Sequence, residues 1–367
     1  MRILTAPVTR AWLLCVLLSN ITDAQPAGVR RLTSRELRTT GNPKAELFSV
    51  TGAAFGPDGK IYLAENSHTD MRVFESDGSF HGNIGGRGAG PGEFRHVGRF
   101  GWLGDTLWVD DPVLRRITLF NPQGKPLTTV ATSVSAFAGT VVQSVLTPRG
   151  RFIQVDGWGR KDIEDAPIVR VSRDGTVRDT LVNITYGRVS VQTKNAKGGF
   201  TLLQPLSDLP IWNADRAGQW IVVCNRSAPP DQRAARIELQ RFTLATGAMQ
   251  QFSPAFSPVP ISQAANDSIL QLFPMLSAQE LRSVLYLPKY FPPVSHMVVA
   301  RDGGIWLERQ GERPGTYVRI DATGRVSDTI QIAPGYRLAD VRGDELLAII
   351  RSADDVKPTV LLYTMLK

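Results

Sequence analysis

Apolar and polar positions alternate along most of the chain in short runs, and a turn ends each run. This period of two is typical of strands with one buried face. A turn followed by an apolar, aromatic-rich strand occurs six times, starting at Pro57, Leu103, Pro148, Arg216, Arg301 and Arg342. A strand, a turn with glycine and another strand follow each of the first five copies, starting at Val73, Leu119, Val169, Phe242 and Val318. The repeat predicts successive four-stranded antiparallel sheets, here called blades, with strands a to d.

The sixth repeat lacks its last strand. Residues 345–350 supply strand b and residues 358–366 supply strand c, after which the sequence ends. Residues 29–39 precede the first blade and have no partner strand there. The pattern therefore predicts an all-β fold over residues 25–367, a six-bladed β-propeller of four-stranded antiparallel blades whose last blade is closed by the N-terminal strand.

Residues 50–125 resemble the NHL-repeat family of six-bladed propellers. The segment 88–94 (GAGPGEF) is similar to the family's link between blades, and Val109-Asp110 with Arg116-Ile117-x-x-Phe120 is similar to its strand pair. Beyond these blades only the rhythm of turns and strands persists. The resemblance implies an exported bacterial propeller of this type, and no particular activity, because the fold hosts many activities.

The first 24 residues predict a secretory signal peptide. Arg2 and Arg10 give a positive N-terminal region before a short apolar run at 11–18, and Ala24 offers a small residue for cleavage. The run is too short to span a bilayer, so we expect a secreted or periplasmic protein with no membrane span after cleavage. Cys15 follows bulky residues, which disfavours a lipoprotein. Cys224 would then be the only cysteine and could form no internal disulfide.

The formal charge of +8 favours anionic partners in the cell envelope. No run of basic and aromatic residues predicts nucleic-acid binding. Hydrophobic residues make up 42% of the chain, enough for a sizeable core.

Long segments fall only between strands b and c, or between strand d of one blade and strand a of the next. They are residues 157–167, 185–206, 225–236 and 253–293. In a propeller these connections share one face, and insertions gathered on one face often mark a binding surface. Segment 253–293 is lid-like, with a short helix begun by the capping box Ser277–Glu280. This helix would form either a pocket wall or a plug between blades 4 and 5.

Seven residues are candidates for the binding face: Glu65, Arg87, Arg99, Asp111, Asp156, Trp158 and His296. The acids Glu65, Asp111 and Asp156 end strand b in blades 1 to 3, where their oxygens would suit Ca²⁺. They would equally pair with arginines or cap turns, since the other three blades have Cys224, Arg309 and Ile350 there.

The remaining candidates suggest recognition. Arg99 and His296 lie near the start of strand a, and a histidine beside an acid can transfer protons. Arg87 belongs to a glycine-rich link that forms either an anion nest or a tight connection. Trp158, in an inserted loop, would either stack on a sugar or a peptide side chain or fold down onto its own loop.

Two functions remain open at this point. The first is a non-catalytic exported propeller that binds a protein, peptide or glycan ligand on its insertion-rich face. The second is a calcium-dependent lactonase or hydrolase with its metal at the central mouth. We favour the first, because no complete set of catalytic residues can be assigned.

Overall fold

The structure, a computed structural model, describes residues 28–39, 42–132, 141–155, 165–172, 174–185, 190–195, 198–229, 231, 235–350 and 360–366. Three of the predictions concern residues outside these ranges: the signal peptide at 1–24, the carboxylate of Asp156 and the indole of Trp158.

The described chain forms six four-stranded antiparallel sheets arranged as the blades of a propeller. The first strand, β1 (Leu32–Glu36), belongs to the last blade. Blade 1 comprises β2 (Val50–Phe55), β3 (Ile61–Glu65), β4 (Asp70–Phe74) and β5 (Phe80–Ile84). Blade 2 comprises β6 (Phe100–Leu103), β7 (Thr106–Asp111), β8 (Arg116–Phe120) and β9 (Pro126–Ala131). Blade 3 comprises β10 (Val141–Thr147), β11 (Gly150–Val155), β12 (Asp165–Val171) and β13 (Val177–Thr185).

A hairpin of β14 (Ser190–Asn195) and β15 (Gly198–Leu203) leads into the second half. Blade 4 comprises β16 (Ile211–Ala214), β17 (Trp220–Asn225), β18 (Glu238–Thr243) and β19 (Ala248–Phe252). Helices α1 (Gln263–Gln271) and α2 (Ala278–Val284) follow it. Blade 5 comprises β20 (Val294–Val299), β21 (Ile305–Arg309), β22 (Thr316–Ile320) and β23 (Val326–Gln331). Blade 6 comprises β24 (Tyr336–Arg342), β25 (Glu345–Ile350) and β26 (Val360–Met365), completed by β1.

The predicted closure of the ring is confirmed. Strand β1 runs antiparallel to β26, with Leu32 opposite Met365 and Glu36 opposite Leu361. Its backbone therefore covers an edge that the end of the chain would leave unpaired. Leu37, just after β1, is 5% exposed and packs in the apolar cluster between blades 6 and 1.

Apolar side chains fill the space between neighbouring blades. Between blades 5 and 6, for example, Trp306 and Tyr317 pack against Leu338 and Leu346. The two faces of the ring differ. Tight a–b and c–d turns form one face, here called the turn face. The b–c loops and the links between blades form the other, here called the insertion-rich face.

The two insertions that flank blade 4 pack against each other. Leu202 of β15 forms an apolar cluster with Leu270 of α1 and Leu281 of α2. Gln204 accepts a hydrogen bond from the Tyr286 backbone at 3.0 Å. The sequence predicted one helix here, and the structure has two, since Ser262 also caps a helix by accepting from the Ala265 N–H. No helix of the described residues is long and apolar enough to cross a membrane.

Candidate functional site

Hydrogen bonds from side chains join the strands a around the central channel. These strands do not pair with one another as a sheet, so their alignment depends on side chains. The bonds run from Gln143 to the carbonyl of Trp212, from Asn213 to the carbonyl of Met297 and from Arg337 to the carbonyl of Thr51, at 3.0, 3.0 and 3.1 Å. The channel wall is therefore polar.

Arg99, a predicted site residue, lies in this channel. It precedes β6 in blade 2 and donates to Oδ1 of Asn213 in blade 4 at 3.2 Å. Burial, with the nearby charges of Arg216 and Arg337, lowers the pKa of Arg99 to about 10 although Asp110 opposes the shift. Positive charge thus accumulates around Arg99.

The a–b turn of blade 4 crosses to blades 1 and 2 at the turn face. The carbonyl of Arg216 accepts from the Trp102 N–H at 2.8 Å. Its guanidinium donates to the carbonyls of Phe100 at 2.9 Å and Ala53 at 3.3 Å. Gly101 permits this approach, because a Cβ there would lie 2.7 Å from the Arg216 oxygen.

The turn of blade 5 makes a similar contact with blade 1. Arg301 donates to the carbonyl of Phe55 at 2.8 Å. Asp340 of blade 6 accepts from the N–H groups of Phe55 and Val341, both at 2.9 Å. Burial raises the pKa of Asp340, while Arg216 and these hydrogen bonds oppose the rise. Two turns therefore obstruct the channel at the turn face.

Asp110 lies on β7 beside Arg99 and was not singled out for chemistry in the sequence. Its N–H donates to the Arg99 carbonyl at 2.8 Å, which fixes the register of the two residues. Burial raises the pKa of Asp110 to about 6. The charge of Asp111 adds to this rise, whereas the charges of Arg151 and Arg99 oppose it. Asp110 therefore changes charge near neutral pH, a property that often marks functional sites.

Glu65, predicted as a calcium ligand, holds a loop in place. Its buried carboxylate accepts from the backbone N–H groups of Ser49, Ser67 and His68, and lies 2.8 Å from Nδ1 of His68. Burial alone would raise the pKa of Glu65, but these hydrogen bonds outweigh it and lower the pKa. The carboxylate thus joins the b–c loop of blade 1 to the chain before β2.

Asp111 has the same arrangement in blade 2. One oxygen accepts from the backbone N–H groups of Arg95 and His96, at 2.7 and 3.4 Å, and the other from those of Val113 and Leu114, both at 2.9 Å. Within the described part of the chain, no three His, Cys, Asp or Glu side chains are grouped so that they could hold a metal ion. A calcium site that includes Asp156 stays a prediction.

His296 contributes to the connection between blades 5 and 6. Its Nδ1 lies 3.2 Å from the hydroxyl of Tyr317, and that hydroxyl accepts from the Leu338 N–H at 3.0 Å. Tyr317 is fully buried. The histidine therefore lies close to a hydrogen bond that joins strand c of blade 5 to strand a of blade 6.

Arg87 lies in the link between blades 1 and 2 and donates to the carbonyl of Ser67 at 2.8 Å. In that link, the N–H of Gly88 donates to Phe94 and the N–H of Gly90 to the Glu93 carboxylate. Phe94 is fully buried. The glycine-rich link thus uses these backbone donors internally.

A groove of about 370 Å³ opens between blades 3 and 4. Asn225 and Ser227 follow β17, and Asp208 precedes β16, so the groove lies towards the insertion-rich face. Most of its lining is polar, and the residues are Val182, Asn183, Ile184, Asp208, Pro210, Val223, Asn225, Ser227, Glu238, Gln240 and Gln251. The repeat pattern did not indicate this groove, because it depends on how far two blades separate at their outer strands.

Comparisons with known proteins agree with the fold. The family model described as a 6-bladed beta-propeller, DUF5128, matches residues 56–103. A Bacteroides fragilis protein described as exported is 12% identical, with a TM-score of 0.54 over 94% of this chain and 98% of that one. A DUF4221 family member from Bacteroides vulgatus is 10% identical, with a TM-score of 0.49 over 92% and 97%. A virginiamycin B lyase from Staphylococcus aureus is 11% identical, with a TM-score of 0.45 over 92% and 99%. No curated protein matches. At 12% identity, the likeness to the exported Bacteroides fragilis protein shows the fold alone.

Proposed function

We propose that this protein is an exported, non-catalytic β-propeller that binds a protein, peptide or glycan through its insertion-rich face. The groove between blades 3 and 4 is the observation that carries the proposal. It opens on that face beside the inserted segments, and its volume of about 370 Å³ lies within the usual range of ligand sites.

The chemistry of the groove suits a polar ligand. Asn183, Asn225, Gln240 and Gln251 offer amide donors and acceptors, and Glu238 adds carboxylate oxygens. Such side chains match the hydroxyl groups of a glycan or the backbone amides of a peptide. Val182, Ile184, Pro210 and Val223 add apolar surface, against which the non-polar face of a sugar ring or a peptide side chain would pack.

The location and the family are part of the proposal. The segment at residues 1–24 has the pattern of a signal peptide, and a protein with the same overall fold is described as exported. We place the propeller at residues 25–367, in the secreted or periplasmic space, among NHL-like six-bladed propellers. Segment 253–293 would then form part of the binding face, together with the hairpin that it contacts.

A calcium-dependent lactonase or hydrolase is the alternative. It would need Glu65 and Asp111 to exchange their backbone donors for a metal ion, with Asp156 as a third ligand. If millimolar Ca²⁺ raised the thermal midpoint above its value in EDTA, and Asp111→Ala abolished both that rise and lactone or ester turnover, this alternative would replace the binding function.

Binding can be tested on arrays of glycans and peptides. Gln240→Ala removes a groove amide, whereas Gln123→Ala removes an exposed amide in the c–d turn of blade 2, at the turn face. We expect ligands retained by the wild-type protein to be lost by Gln240→Ala and kept by Gln123→Ala. Equal retention by both variants, or no ligand on either array, would contradict the proposal.

A further inference from the structure

We propose that the central channel is a second binding site, which takes a carboxylate-bearing ligand from the insertion-rich face. The site is separate from the groove between blades 3 and 4 and does not depend on it. Four guanidinium groups carry the inference, and they reach the channel from different blades: Arg99 from blade 2, Arg216 from blade 4, Arg301 from blade 5 and Arg337 from blade 6.

Three of these arginines donate hydrogen bonds to neutral oxygens. Arg99 donates to an amide oxygen, and Arg216 and Arg301 donate to backbone carbonyls. Within the described residues, none of these three forms a direct ion pair with a carboxylate. Arginine has five N–H donors, and the described contacts of Arg99 use one. A forked donor with unused capacity suits a carboxylate, which accepts two parallel hydrogen bonds.

The acids near the channel balance this charge only in part. Asp215 accepts from the N–H groups of Ala217, Gln219 and Trp220, and Asp340 accepts from two others. The charges of both acids act on Arg216 or Arg301, towards the turn face. Asp110 lies beside Arg99 and its charge acts on that guanidinium, but Arg151 shares the same charge. The channel keeps an excess of positive charge on the side of Arg99.

Among the described residues, exposure indicates that a ligand would enter from the insertion-rich face. Thr51, on the innermost strand of blade 1, is exposed, and Arg99, Asp110 and Arg337 are half-buried. At the opposite end, the turn that carries Arg216 bonds to Trp102 across the ring. A carboxylate entering beside Thr51 would meet Arg99 and Arg337, which are half-buried, so charge interactions there are stronger than at an open surface.

Calorimetric titration tests the site with succinate, and with succinamide as the neutral control of the same shape. A tripeptide acid and its amide distinguish a free dicarboxylic acid from a chain terminus as the source of the carboxylate. We expect at least one acid to bind and its amide not to bind. Arg99→Gln should weaken binding at least about tenfold, because a charged hydrogen bond is lost, and Arg282→Gln on α2 should change nothing.

Asp110→Asn should change the affinity in the opposite direction. This keeps the test decisive even if the arginine variant does not fold. Removing this negative charge should tighten binding roughly tenfold at pH 7.5 and low salt. Gln240→Ala should leave the affinity unchanged, so failure of the groove and failure of the channel site can be told apart. The proposal is overturned if no acid binds better than its amide, or if Asp110→Asn leaves the affinity of the acid unchanged.

Discussion

Gly101→Ala perturbs the closure of the channel at the turn face. Gly101 lies on β6, where the turn of blade 4 crosses from the opposite side of the ring. An added Cβ would lie 2.7 Å from the carbonyl oxygen of Arg216 and 3.0 Å from Cζ2 of the Trp108 indole. Real Cβ atoms do not approach a backbone oxygen so closely, so the turn of blade 4 must move.

The magnitude follows from the contacts that this movement breaks. A shift of roughly 0.5 Å restores ordinary van der Waals separation, and it would stretch the 2.8 Å bond from the Trp102 N–H to the Arg216 carbonyl. Trp102 is 2% exposed, so water cannot easily replace the lost acceptor. Losing that bond costs about 1–3 kcal/mol, and overpacking costs a similar amount. The lower chain entropy of alanine offsets up to about 1 kcal/mol.

A net loss of about 2–3 kcal/mol lowers the thermal midpoint by about 3–4 °C for a domain of roughly 340 residues. Scanning calorimetry measures this. Gly82→Ala on β5 is the matched control, because no atom lies within 4 Å of its Cβ position, and its midpoint should equal or slightly exceed that of the wild type. If Gly101→Ala and Gly82→Ala had the same thermal midpoint, the turn of blade 4 would not cross the ring and the channel would not be closed there.

Three further predictions concern the closing strand, the channel acid and the cysteine. Leu37→Ala should destabilise the fold by about 2–4 kcal/mol in chemical denaturation, because Leu37 is 5% exposed, whereas Leu127→Ala, at a position 58% exposed, should stay within about 0.5 kcal/mol of the wild type. The pKa of Asp110 is raised to about 6 in the folded protein, so its ionisation destabilises the fold above that pH. Asp110→Asn should therefore raise the thermal midpoint most at pH 7.5 and progressively less towards pH 5. A difference in midpoint that does not change with pH would contradict the raised pKa. Burial raises the pKa of the Cys224 thiol to about 12, so a thiol reagent should label it only on unfolding, and rapid labelling of the native protein would refute its burial.

The sequence predicted the fold because each blade repeats the same local chemistry. Turn residues and alternating strands recur in every blade, so a weak copy in blade 4 could be recognised from clear copies in blades 1 and 2. The closing strand was predictable for a topological reason: the sixth repeat had one strand too few, and a strand near residue 32 had no neighbour.

The channel was harder to predict, since its side chains meet across the ring. Arg216 and Arg301 start the repeated turns of blades 4 and 5, and this shared position was the available signal. Their contacts depend on the twist of each blade and on the irregular registers of the inner strands, such as the shift between Val294 and His296, which the alternation of residues does not indicate. The same limit applied to Glu65 and Asp111. Their positions were predictable, but the backbone donors around them were not.

The central claim, binding at the insertion-rich face, is tested most directly by blocking each face in turn. In a Cys15→Ser background, with Cys224 fully buried, a bulky polymer maleimide can be attached after Ser227→Cys beside the groove, or after Asp105→Cys at the turn face. Both positions are exposed. The account predicts that the polymer at position 227 abolishes retention of glycan and peptide ligands on the arrays and that the polymer at position 105 leaves it intact. Loss of binding with the polymer at position 105, or full binding with it at position 227, would contradict the claim.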